Sequence, residues 1–165
     1  MGYLRFRNLV SFFVMLVVPA AIFGAAPPTN QSNSAREADE LISQIHMDAY
    51  HAERDAGRLQ SLNTEPLIAG WQGEAVILTQ EKHWDNMMDR TLFQLEKMEG
   101  MLPADQQAEI NSLRAPVAEL VNTTQATIHF LNHHQEQIYE PQYKGLLNDM
   151  FNEADRVGAT IRGAT

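Results

Sequence analysis

Residues 113–138, LRAPVAELVNTTQATIHFLNHHQEQI, carry the cleanest register in the chain. Leu113, Val117, Leu120, Thr124, Thr127, Leu131, His134 and Ile138 alternate in steps of four and three, with Ile110, Val121 and Ile128 flanking them. At about 100° per residue these positions line one face of an α-helix. The four–three rhythm belongs to helices that cross at shallow angles with left-handed packing. The spacing predicts a long helix with Pro103 in its first turn and Glu140-Pro141 as its end. At about 36 residues it would reach roughly 54 Å. Pro116 removes one amide donor and crowds the carbonyl four residues back, so a kink is expected there.

The same rhythm extends in both directions. Upstream, Ala38, Ile45, Ala52 and Leu59 recur every seven residues, with Leu41, Ile42, Ala49, Ala56 and Leu62 beside them. Ser34-Ala-Arg-Glu37 reads as a capping box that opens this helix: the serine oxygen takes a free amide and Glu37 reaches back to the cap. Asn63-Thr64-Glu65-Pro66 breaks it. A second helix is under way by Trp71 or Glu74, with the seam Leu78, Met88, Leu92 and Leu95 widened by Ile77, Trp84, Met87, Thr91 and Met98. Gly100 is its natural left-handed stop. Downstream, Tyr143, Leu147, Met150, Ala154, Val157 and Ile161 repeat the four–three steps until Gly163.

No stretch alternates at period two, and glycine is scarce inside the periodic segments. Four amphipathic segments joined by short breaks predict an all-α domain over 34–163. Its expected form is an antiparallel up-down-up-down four-helix bundle with a long third helix.

The run Trp71…Leu78, Leu92-x-x-Leu95, Leu120-Val-Asn-Thr-Thr-x-x-x-Ile128-x-x-Leu131-Asn132 and Pro141-x-Tyr143 resembles a group of small exported helical proteins of soil bacteria, notably acidobacteria. The likeness covers about 38–161. It implies the helical fold and export, and it brings no activity with it. Where many of those relatives carry histidine this chain has Glu74, so no site at that position carries over.

Export is also written in the first residues. Arg5 and Arg7 precede an uncharged run from Asn8 to Ala26, with an apolar block Leu9–Val18, then Pro19 and the small-residue patch 20–26. A positive start, an apolar middle and a small-residue exit describe a secretory signal peptide over 1–26. Cleavage is expected near Ala26, or at Ala25 or Gly24 because Pro27 fits a protease substrate poorly. The alternative is an uncleaved anchor, since Leu9–Ala26 is eighteen residues, the lower limit for crossing a bilayer. Residues 27–33, Pro-Pro-Thr-Asn-Gln-Ser-Asn, read as a disordered linker. The expected location is the bacterial periplasm or the secreted fraction.

Charge and cysteine content narrow the partners. The chain has twelve basic and twenty-one acidic residues, and removal of Arg5 and Arg7 with the leader leaves a formal balance of −11. Such a domain repels nucleic acid and anionic lipid heads, so neither nucleic acid nor, after signal removal, membrane is an expected partner. With no cysteine there is no disulfide, no thiolate metal site and no covalent haem attachment.

Three constellations invite chemistry. His129 and His133 have the spacing that lets two imidazoles share a metal, with Glu136 nearby. They sit about 160° and 200° from Leu131, on the solvent face, so exposed histidines are the reading adopted. His134 is expected at the edge of the core stripe. The second constellation is acidic. Glu74, Glu81 and Asp85 continue the seam of the second helix, and Asp48 and Asp55 fall beside the stripe of the first. An acidic layer inside the bundle would follow if the two helices met face to face. The sequence lacks Glu-x-x-His, with Asp48-Ala-Tyr-His51 as its nearest approach, which speaks against a di-iron centre. These acids are therefore expected at the rim, partnered by Arg54, Arg58, Lys82 or Arg90. The third is haem, for which Met47 has no histidine counterpart after His134.

Serine-nucleophile, phosphate-loop and nucleotide-binding signatures are missing. The reading thus assigns no catalytic, cofactor-binding or metal-ligating residue. Its expectation is a non-enzymatic exported bundle with a structural or protein-interaction role, taking a protein partner or a small hydrophobic ligand. The alternative is a small-ligand or metal-binding sensor or carrier. The adaptable side chains for such a groove are Met87, Met88, Met98, Met101 and Met150.

Overall fold

The computed structural model describes residues 29–64 and 70–163. Over these residues the chain forms four helices: α1 (Thr29–Thr64), α2 (Trp71–Met98), α3 (Ala104–His133) and α4 (Pro141–Gly163). Single 3-10 turns at Glu99–Met101 and Gln135–Gln137 complete the fold, and no strand occurs among the described residues. The leader and Pro27-Pro28 lie outside the described residues, as do 65–69. Among the described residues no helix is long and apolar enough to cross a membrane.

Each helix packs on two neighbours: α1 and α3 both lie against α2 and α4 and scarcely touch each other. One core fills the space between the four. The heptad positions Ala38, Ile45, Ala52 and Leu59 are fully buried, as are Leu78, Met88 and Leu95 of α2. Leu113, Val117, Leu120 and Leu131 of α3 and Tyr143, Leu147, Met150, Ala154, Val157 and Ile161 of α4 close the other side. Small alanines in α1 facing larger side chains from α2 and α4 let the helices approach closely, which is how alternating side-chain sizes reach interior packing density.

Polar ties join the ends of the helices. Gln106, early in α3, donates to Asp39 Oδ1 at 2.6 Å and to the Ala35 carbonyl at 2.9 Å, near the start of α1. Asn63, at the end of α1, donates to Glu74 at 3.3 Å, near the start of α2, and to the Ile138 carbonyl at 2.5 Å. Arg114 of α3 pairs with Glu96 at 2.9 Å and with Glu99 at 2.6 Å, where α2 ends. Gln60, late in α1, donates to Asn148 of α4 at 2.9 Å.

The structure corrects the sequence reading at three boundaries. α1 begins at Thr29, five residues before the capping box at Ser34. No glycine or proline separates Pro28 from Ser34, so nothing stops the helix extending back to the proline pair. The longest helix is α1 with 36 residues, whereas α3 has 30 and ends at His133. Residues 132–137 are all polar and exposed, so no burial holds the chain in line, and it turns to seat Ile138 in the core. Gly100 lies within the 3-10 turn, and no described glycine has positive φ; α2 therefore ends without a left-handed cap. Pro116 lies in the interior of α3 with its ring buried.

Candidate functional site

The acids expected at the rim are in the core. Asp48, Asp55, Glu74, Glu81 and Asp85 are all 3% exposed or less, and Glu74 and Glu81 are wholly buried. The reason is geometric: Glu74, Leu78, Glu81, Asp85 and Met88 follow one another at three- and four-residue steps along the inner face of α2. A helix that turns Leu78 and Met88 to the core turns the acids between them the same way, and the neighbouring helices decide how deep they lie. Of the four expected partners, Arg54 and Arg58 do reach an acid, each lying 3.4 Å from Asp55 Oδ1. No ion pair ties Lys82 or Arg90 to these acids.

Three polar groups result. At mid-height, Glu81 and Asp85 stand one turn apart on α2. Neither Glu81 oxygen has a hydrogen-bond partner, nor does Asp85 Oδ1. Burial pushes the Glu81 carboxyl up to about 10, and the charges of Asp85 and then Asp55 add to the rise. Burial likewise lifts Asp85 to about 7. The Thr124 hydroxyl from α3 opposes that rise and the Glu153 carboxyl from α4 reinforces it. Thr124 is fully buried and its hydroxyl does not reach hydrogen-bonding geometry with Asp85. Glu153 is itself raised, by burial first and by the charge of Asp149, with Thr123 opposing. A carboxyl placed as Glu81 is holds its proton at neutral pH, because ionising it would strand a charge in a medium that solvates it poorly.

The second group lies across α1 and α2. Trp84 Nε1 donates to Asp55 Oδ2 at 3.1 Å, and the indole stacks on His51 with centroids 4.5 Å apart. Tyr50 meets the His51 ring edge-on at 5.8 Å, and His83 meets Trp84 edge-on at 5.0 Å. Beneath this strip Asp48 accepts from Gln44 Nε2 at 2.8 Å through one oxygen and has no partner for the other. Burial raises the Asp48 carboxyl, while Gln44, His51 and His83 counteract it. The third group sits towards the other end of α2, where Asn63, Glu74 and Tyr143 meet. Burial raises Glu74 against the opposing effect of Tyr143 and Asn63, and it raises the Tyr143 phenol, with Glu74 adding to it.

The histidine pair stands where the helical angle placed it. His129 and His133 are exposed with rings 4.2 Å apart, and His133 Nδ1 lies 2.8 Å from the His129 carbonyl. His134, expected at the core edge, is exposed because α3 has ended, and its ring rests 4.8 Å from Phe130. Among the described residues no three His, Asp or Glu side chains converge in a way that could hold a metal ion.

Sequence reasoning missed Thr124 as a polar group, since it was counted only as a position in the apolar register. It also missed Glu153, whose signal was its place between Met150 and Val157 on the buried side of α4. Asn63 read as a helix breaker, yet it is buried and fastens three segments together. No protein-family model, curated protein or solved structure matches the chain.

Proposed function

We propose that this chain is an exported, non-enzymatic helical bundle that acts in the bacterial envelope through contact with another protein. Its helices run up-down-up-down, antiparallel between neighbours, and it belongs with the small exported proteins of soil bacteria that it resembles. The direction of the helices is supported by the end-to-end ties, which join the start of α3 to the start of α1 and the end of α1 to the start of α2. Export is supported by the charged and apolar pattern of 1–26.

The observation that carries the interaction reading is the aromatic strip across α1 and α2. Tyr50 is 57% exposed and Met47, one turn earlier, is 53% exposed. Through His51 and Trp84 the strip continues to His83, so apolar and aromatic surface is contiguous across the outer seam of two helices. Glu81 and Asp85 are buried, and among the exposed large apolar side chains, which include Val76, Phe93 and Met101, those of this strip are joined by ring contacts across two helices. A photo-crosslinking residue at Tyr50, introduced in the native host, should capture one discrete envelope protein. Capture of nothing above the level of the same probe at exposed Glu136 contradicts the reading. The amino terminus of the envelope form should lie between Ala25 and Pro28, and intact Met1 in membranes would make it an anchored bundle instead.

A second reading, a small-ligand or cation-binding sensor or carrier, draws support from the unpartnered oxygens of Glu81, Asp85 and Asp48. Native mass spectrometry of protein from its own host distinguishes it: a stoichiometric ion or small molecule would place this reading first.

A further inference from the structure

Glu81 and Asp85 lie in the core with polar groups from the other three helices around them, Asp55 and Thr124 buried and Glu153 half-buried, and among the described residues no basic group pairs with Glu81 or Asp85. Glu81 and Asp85 come from α2, Asp55 from α1, Thr124 from α3 and Glu153 from α4. The charges around the layer are known in sign. Asp55 is already occupied by Trp84 and by Arg54 and Arg58, whose guanidinium groups lie at the surface. Glu153 and, behind it, Asp149 contribute further negative charge from α4. Buried polar atoms without partners are rare in folded proteins, and here Glu81, Asp85 and Thr124 all carry them.

We propose that Glu81 and Asp85 form a proton-operated latch: with both carboxyls protonated, α2 is held against its two neighbours, and loss of the protons frees it from α1 and α3. The physical basis is the asymmetry between the two states. A neutral carboxyl in an apolar core costs no more than an unmade hydrogen bond, whereas a carboxylate there costs several times as much. Two carboxylates one turn apart add mutual repulsion. Because Glu81 and Asp85 face three different helices, the strain falls on the whole inner face of α2, including Leu78 and Met88 on either side. The inference goes beyond the interaction reading and does not depend on it, since the latch lies inside the core and the aromatic strip outside.

The sign of the effect is the reverse of ordinary acid denaturation. Glu81 and Asp85 bind protons more tightly folded than unfolded, so their stabilisation is complete below the ordinary carboxylate range. It declines for Asp85 from 3.8 to about 7 and for Glu81 from 4.5 to about 10.

Thermal melting of the full mature chain at pH 5, 7 and 9, at constant ionic strength, tests this. The melting temperature should fall by roughly 10 °C or more from pH 5 to pH 9. Glu81→Gln should remove most of that fall and Glu81→Gln with Asp85→Asn nearly all of it. A wild-type melting temperature that is flat or rises with pH overturns the latch, and so does a Glu81→Gln variant with the wild-type slope. Restoration of the wild-type value at pH 9 by calcium or manganese would also overturn it, by showing a cation as the occupant. Should the variants fail to fold, infrared spectra of the wild type decide: a protonated-carboxyl band must persist at pH 7, and its absence there refutes the proposal.

Discussion

Glu81 concentrates the tension in this molecule. It occupies a position that Leu78 and Met88 define as core, it has no exposed surface, and neither oxygen is bonded. Replacing a buried, unpaired ionisable group with an apolar one of similar size relieves desolvation. Glu81→Leu is therefore expected to stabilise the protein by about 1–3 kcal/mol at pH 8, measured by urea titration, and to do less at pH 5. The register of α3 gives the opposite kind of expectation. Leu120 and Leu131 are buried to within 3%, so Leu→Ala at either should cost about 2–5 kcal/mol. His129→Ala and His133→Ala should each change stability by less than about 0.5 kcal/mol, because both rings are exposed. Large losses at the histidines in the same assay would mean that the helix presents a different face.

At the scale of the elements, the proposed antiparallel order predicts which ends meet. The chain has no cysteine, so engineered pairs report contact without background. Asp39→Cys with Gln106→Cys should be joined by a short bismaleimide linker, since the tips of the native side chains touch at 2.6 Å. Asp39→Cys with Gln137→Cys, at the far end of the third segment, should not. Equal cross-linking of the two pairs would contradict the order. The stripes of all four helices were legible because burial repeats with the helical period, and every position of the heptad run in α1 and α4 is indeed core. The ends were less legible. Thr29–Asn33 looks like a linker only because it is polar, and the end of α3 at His133 depends on Ile138 finding a seat against other helices. The acidic layer was visible as a spacing, but its depth was not. Whether Glu81 lies in the core or at the rim depends on Asp55, Thr124 and Glu153 arriving from three other helices, and no local pattern carries that information.

For the molecule as a whole, two populations of acid have different consequences. Most of the twenty-one acidic residues lie at the surface and make it strongly negative. Among the described residues five lie inside, and of these Glu81 and Asp85 make folding depend on bound protons. The folded molecule thus carries protons in its core at neutral pH which the unfolded chain cannot hold. Glu81 titrates at about 10 when folded and Asp85 at about 7, against 4.5 and 3.8 otherwise. Unfolding the protein with urea in weakly buffered solution at pH 7, with an indicator dye, counts those protons directly. A net release of more than about one proton per molecule is expected, reduced by about one in Glu81→Leu. No release, or net uptake, or the same release from wild type and Glu81→Leu, would contradict it.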